Sequence, residues 1–238
     1  MPPAPRTALA VSLAAALFLA QPAASLVIDN FEEGLFTYTD TSATFGPTFN
    51  EESGLANANV RGGVRLVRQQ AETTDELVPA VSTAVLVSSA SPDDSAVLSV
   101  TGLPDTTASF EFIYDGIANL ALDSASGNLN LDLSGYDSFD ITAVAATVVA
   151  DVRVTLWSSV AVSQSSITPL VDGITSFALS NFTVNLSDIQ SIRVAISGIE
   201  PGETVNLSNI AVVVPEPTPG LLVAAGLVAL ALRRRRAR

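Results

Sequence analysis

From residue 25 onward the chain alternates apolar and polar side chains in short runs ended by turn formers, the period of strands half-buried on one face. Phe110-Glu111-Phe112-Ile113-Tyr114 stops at Asp115-Gly116, a turn dipeptide. Leu129, Leu131 and Leu133 alternate with Asn128, Asn130 and Asp132, which predicts leucines inward and polar side chains outward. Ser134-Gly135-Tyr136-Asp137 turns the chain into Phe139-Asp140-Ile141. Val152, Val154 and Leu156 then alternate with Asp151, Arg153, Thr155 and Trp157. Further strands are expected over residues 177–184, 192–196 and 205–213. Residues 39–58 and 69–95, rich in Thr, Ser, Asp, Glu and Ala, read as long loops or edge strands. No helix of any length combines a 3.6-residue apolar period with caps. The fold expected is all-β: an antiparallel β-sandwich, with the jelly roll as the favoured version.

The two ends break this pattern. Arg6, an apolar run from Ala8 to Ala20 and the small residues of Gln21-Pro22-Ala23-Ala24-Ser25 read as a signal peptide, residues 1–24, cleaved by signal peptidase after Ala24 or Ser25. At the other end Val214-Pro215-Glu216-Pro217-Thr218-Pro219-Gly220 cannot continue a strand or helix, because each proline removes a donor and restricts its predecessor. An apolar run from Leu221 to Leu232 follows, then Arg233, Arg234, Arg235, Arg236 and Arg238. Twelve helical residues span about 18 Å against roughly 30 Å of hydrocarbon, yet a run closed by five arginines has no core left to pack against. The expected element is a C-terminal transmembrane helix with its arginines held in the cytoplasm. Breaker, membrane stop and basic stop, in that order over residues 214–238, resemble the PEP-CTERM sorting signal of bacterial exported proteins. The resemblance implies recognition by an exosortase-type membrane enzyme and removal of the tail near Pro215, Glu216 and Pro217. The protein would be membrane-anchored first, then delivered to the cell surface or extracellular matrix.

Between these ends, residues 25–213 suit one β-sandwich domain. This body holds 23 of the 24 acidic residues but only five of the 11 arginines, and the chain has no lysine, so its formal charge is −18. That surface argues against nucleic acid or anionic membrane as a partner. Cysteine and histidine are both absent, which excludes Ser-His-Asp and Cys-His catalysis and ordinary zinc sites. Carboxylates, arginines, tyrosines and hydroxyls remain.

Leu26-Val27-Ile28-Asp29-Asn30-Phe31-Glu32-Glu33-Gly34 resembles the opening of galactose-binding-like jelly rolls, a group that includes carbohydrate-binding modules. Gly62-Gly63-Val64-Arg65, Leu131-Asp132-Leu133-Ser134-Gly135-Tyr136-Asp137-Ser138-Phe139 and Val205-Asn206-Leu207-Ser208-Asn209-Ile210 follow in that family's order. Asn209 stands where an aspartate–asparagine pair is usual. The resemblance implies a jelly roll, in which a structural calcium is common, and Asp29 and Glu32 are its candidate ligands here. Other carboxylate groups are Asp93-Asp94 and the pair Asp137 and Asp140, but no D-x-D-x-D-G loop is present.

Trp157 is the only tryptophan, and strand parity sets it on the polar face with Arg153 and Asp151; Arg193 has the same outward parity. Aromatic faces stack on the C–H faces of sugars while arginine and carboxylate bond the hydroxyls, so this set is a candidate glycan platform. The plainer alternative is that Trp157 caps the edge of the core. Arg61, Arg65 and Arg68 either bind an anionic sugar or balance local charge. Among 24 acids some pair lies at glycosidase spacing by chance, so none is assigned as catalytic. The sequence thus points to an exported, non-enzymatic protein that contacts exopolysaccharide. Its rivals are a structural adhesion or matrix protein with no discrete ligand, and a polysaccharide hydrolase or lyase.

Overall fold

The computed structural model describes residues 25–34, 37–41, 47–73, 81–87, 95–101, 106–118, 127–144 and 150–214. The expected signal peptide (1–24) and, apart from Val214, the expected sorting and anchor segment lie outside these residues. Residues Leu26–Val212 form one compact unit; of the second unit, which comprises residues 1–25 and 213–238, only Ser25, Val213 and Val214 are described.

Fourteen strands build the described chain. They are β1 (Ser25–Asp29), β2 (Thr37–Thr41), β3 (Thr48–Ser53), β4 (Val64–Thr73), β5 (Val81–Val87), β6 (Ser95–Thr101) and β7 (Thr106–Tyr114), then β8 (Ser138–Val144), β9 (Asp151–Ser158), β10 (Val162–Gln164), β11 (Thr168–Pro169), β12 (Gly173–Ala178), β13 (Ile189–Ile199) and β14 (Thr204–Val213). One sheet runs β12-β8-β14-β6-β5-β2, with β1 also on β14; the other runs β10-β9-β13-β7-β4-β3, with β11 also on β9. Beyond β6 the chain crosses repeatedly from sheet to sheet, so most neighbours in space come from distant segments, as in a jelly roll.

The two sheets close on one core. Phe110, Phe112, Val152, Val154, Leu156, Ile192, Val194 and Ile196 enter it from one sheet, and Phe139, Ile141, Leu98, Val205 and Leu207 from the other. Their period-two spacing within each strand turns the intervening residues of the second sheet to its outer face. That outer face is where the candidate chemistry lies.

The sequence reading needs three corrections. β4 and β5 are interior strands, not loops or edges; β-branched residues along Val81–Val87 suit a pleated, paired position. β2 and β3 do lie at sheet edges. The strand expected over 177–184 ends at Ala178, where the N–H of Leu179 donates to the carbonyl of Asp137 and residues Leu179–Asn181 form a 3-10 turn. Finally, residues 127–133, with Leu129 and Leu133 buried, form no strand: an isolated bridge joins Leu131 to Ile189, and the N–H groups of Leu129 and Leu133 donate to the carbonyls of Gln190 and Leu186. Asn130 there has φ +48°, a left-handed residue that interrupts a ladder.

Candidate functional site

On β9, Val152, Val154 and Leu156 point into the core, so Asp151, Arg153, Thr155 and Trp157 share the outer face. Strand register carries that face across the sheet. Arg193 on β13 lies opposite Thr155 and, on its other side, opposite Ile113 of β7. Ala195 lies between Arg153 and Glu111, Glu111 faces Arg68 on β4, and Arg68 faces Phe49 on β3.

These register partners touch. The Arg193 guanidinium carbon lies 5.0 Å from the centroid of the Trp157 ring. Its Nη1 is 3.7 Å from Oε2 of Glu111, and the same oxygen accepts from Arg68 Nη1 at 2.9 Å. Arg68 in turn lies 5.9 Å from the centroid of Phe49. The outcome is an unbroken row, Phe49–Arg68–Glu111–Arg193–Trp157, running across five strands. At ordinary strand spacing this row is about 19 Å long. Aromatic rings stand at both ends and charge at the centre. Each cation–π contact contributes about 0.5–1 kcal/mol at such half-exposed positions.

The expected Trp157, Arg153 and Asp151 are therefore on one face, and Arg193 is in contact with Trp157. The arrangement differs from an open ring in one respect: Arg193 lies over one face of the indole, so guanidinium and ring form a composite surface. Arg153 makes no ion pair among the described residues. Thr155 and Ser191, 1 % and 0 % exposed, carry hydroxyls without a hydrogen-bond partner, and the Nε atoms of Arg68 and Arg193 are likewise unpartnered. A buried polar group left so costs about 1–3 kcal/mol. Four such groups beneath one face are a standing cost to the fold, out of reach of a ligand on the surface.

A second cluster lies in the interior. The Arg65 guanidinium, 0 % exposed, donates through Nε to Oδ2 of Asp29 and through Nη2 to Oδ1, both at 2.6 Å. Its Nη1 donates to Oε2 of Glu52 at 2.7 Å and to the Glu33 carbonyl at 3.1 Å. The Tyr114 hydroxyl donates to Asp29 Oδ2 at 2.9 Å, and the Phe31 N–H donates to Oδ1 at 2.9 Å. Phe31 has φ +57°, and its ring packs between the Arg65 guanidinium and Phe112. Burial and then the Asp29 charge raise the Tyr114 hydroxyl well above its usual range. Burial, the largest single effect, works against the Arg65 charge, but the Asp29 hydrogen bonds together with the charges of Asp29, Tyr114 and Glu52 outweigh it and hold the guanidinium above its ordinary value. Tyr38 is pushed up to about 12, chiefly by burial and then by Glu52.

This cluster corrects the metal expectation. A carboxylate has about four lone-pair sites, and Asp29 fills them with Arg65 twice, Tyr114 and Phe31. It has none left for calcium. Glu32 is exposed, and no group of three acidic side chains converges among the described residues. The donor set does not fit a calcium ion; Asp29 is instead the buried partner of Arg65, joining the opening motif to Gly62-Gly63-Val64-Arg65. Asp93-Asp94, the sorting residues Pro215, Glu216 and Pro217, and the membrane stop Arg233, Arg234, Arg235 and Arg236 lie outside the described residues.

Sequence reasoning missed Phe49, Glu111, Thr155 and Ser191 as members of the site, and it left Arg68 unplaced. A local signal existed for Glu111, the one charge inside the apolar run 110–114. Phe49 carried none, since its place depends on the register of β3 against β4.

Neither a protein-family model nor a curated protein matches the chain. Solved structures are similar to it. The family 11 carbohydrate-binding module of the cellulosomal cellulase Lic26A-Cel5E of Clostridium thermocellum is 13 % identical over 82 % of this chain and 97 % of that one, with a TM-score of 0.34. The solution structure of CtCBM11 gives 13 % identity, 82 % and 98 % coverage and a TM-score of 0.38. The Clostridium thermocellum module in complex with a β-1,3-1,4-mixed-linked tetrasaccharide gives 14 %, 81 %, 96 % and 0.32.

Proposed function

We propose that this is an exported bacterial surface or matrix protein whose non-catalytic sandwich contacts exopolysaccharide through the outer face of its second sheet. Signal peptidase and an exosortase-type enzyme process its ends, and the C-terminal segment holds it in the membrane before that cut. The carrying observation is the row from Phe49 to Trp157, with rings at its ends and partly exposed charge between them. Such a row matches the length of a short oligosaccharide, offers rings to pyranose C–H faces and offers charged donors and acceptors to hydroxyls.

The test is co-sedimentation of the full-length chain, purified in mild detergent, with exopolysaccharide of the producing organism, alongside an assay for released reducing ends. Saturable binding without release is the expected result. Trp157→Ala should abolish it while circular dichroism keeps the β signal, since the ring is half-exposed and makes no core contact. Unchanged binding by the variant would leave a structural protein without a discrete ligand, and released ends would indicate a hydrolase or lyase.

A further inference from the structure

We infer that the glycan taken by this face is a carboxylate-bearing polysaccharide, a polyuronate; this rests on the glycan-binding reading above and names its substrate class. The body has five arginines and no lysine against 23 acidic residues. Arg65 is consumed by Asp29 and Glu52, and Arg61 lies in the turn before β4, outside the strands of the face, where its main-chain N–H donates to the carbonyl of Ile28. The other three, Arg68, Arg153 and Arg193, all stand on the outer face of the second sheet. Positive charge is scarce in this chain, and more than half of the body's share is on one surface.

The local balance matters more than the count. Arg68 and Arg193 share one carboxylate oxygen of Glu111, so the centre of the row carries a guanidinium in excess of its counter-charge. Arg153, two positions from Thr155 on β9, adds a second without an ion-pair partner among the described residues. By strand register the remaining acids of the face, Glu51 on β3, Glu72 near the end of β4 and Asp151 at the start of β9, belong to its margins. The partly exposed guanidinium groups of Arg68 and Arg193 supply donors within the same surface. A neutral sugar needs donors and acceptors alike, and acceptors are cheap in so acidic a chain. Concentrated guanidinium groups beside rings suit a ligand that brings its own negative charge, which a fork of N–H groups binds bidentately.

The body's overall charge opposes any polyanion at long range. At physiological salt the screening length is about 8 Å, so acids elsewhere on the surface act weakly on a ligand seated at the row, while the arginines in contact act in full. The proposal therefore predicts contact binding at physiological ionic strength.

The experiment compares two polymers with one backbone: polygalacturonate, and polygalacturonate whose carboxylates have been reduced to alcohols. Each is titrated calorimetrically into the full-length chain in detergent at physiological salt, with EDTA present so that bridging by divalent ions does not count. Saturable binding of the acidic polymer, and binding of the reduced polymer at least about tenfold weaker, is the expected result. Arg153→Gln should weaken the acidic polymer by about tenfold and the reduced one by much less, whereas Arg153→Lys should restore part of the loss. Circular dichroism confirms that both variants fold. Equal binding of the two polymers, or no effect of Arg153→Gln, would overturn the inference and leave the glycan reading standing. If neither polymer nor host exopolysaccharide binds, both fail together.

Discussion

Two buried side chains behave oppositely at the scale of the residue. Arg65 directs four hydrogen bonds to Asp29, Glu52 and the Glu33 carbonyl, so removing it leaves the buried Asp29 carboxylate without its counter-charge. Arg65→Met should cost about 3–5 kcal/mol in urea unfolding, because breaking a buried pair leaves an uncompensated charge. Gln69 is also 0 % exposed, yet neither its Oε1 nor its Nε2 has a partner. Gln69→Met, close in volume and with no amide to desolvate, should therefore stabilise by about 1–3 kcal/mol in the same measurement. Glu52 adds a pH dependence. Burial raises its carboxyl above the ordinary 4.5, outweighing the opposing effect of Arg65. A raised folded value means that the folded state holds the proton more tightly, so this contribution is full below pH 4.5 and is lost as pH rises through the elevated value. Urea unfolding of Glu52→Gln across that window should show a flatter profile than the parent.

At the scale of the element, the turn that delivers β4 depends on two adjacent glycines with positive φ, Gly62 at +82° and Gly63 at +68°. A Cβ on Gly62 would meet Leu129 Cδ2 at 2.6 Å and the Gly116 backbone at 2.9 Å, since this turn packs against the one leaving β7. Gly62→Ala should destabilise by about 1–3 kcal/mol in thermal unfolding, with glycan binding kept in the fraction still folded. Gly62-Gly63-Val64-Arg65, one of the motifs that carried the family resemblance, is thus backbone geometry that places Arg65. Alternation made β7, β8, β9, β13 and β14 legible, because each buries one side chain in two. It also placed Trp157, Arg153 and Asp151 on one face. The row itself was not legible. Phe49, Arg68, Glu111 and Arg193 come from four strands far apart in sequence, and only pairing register aligns them. Asp29 was misread because a carboxylate in an acidic motif looks alike whether it holds a cation from solvent or an arginine 36 residues away.

The whole molecule carries its acidity as a stored repulsion. With a formal body charge of −18 and few internal ion pairs among the described residues, the folded state gathers like charges that the unfolded chain spreads out. Raising sodium chloride from low to about 0.5 M should screen that repulsion and raise the melting temperature, with most of the gain below about 0.15 M. A fall in melting temperature over that range would show that attractive pairs dominate instead.

The pairing of β1 with β14 joins the first strand of the body to the last. Closing that contact spans nearly the whole domain, the costly kind of topology for which folding is slow. No partial chain can complete the first sheet: a ribosome that has passed β1 through β13 has still not released the strand that β1 needs. Timing is therefore written into the architecture, with β1 held waiting until β14 arrives.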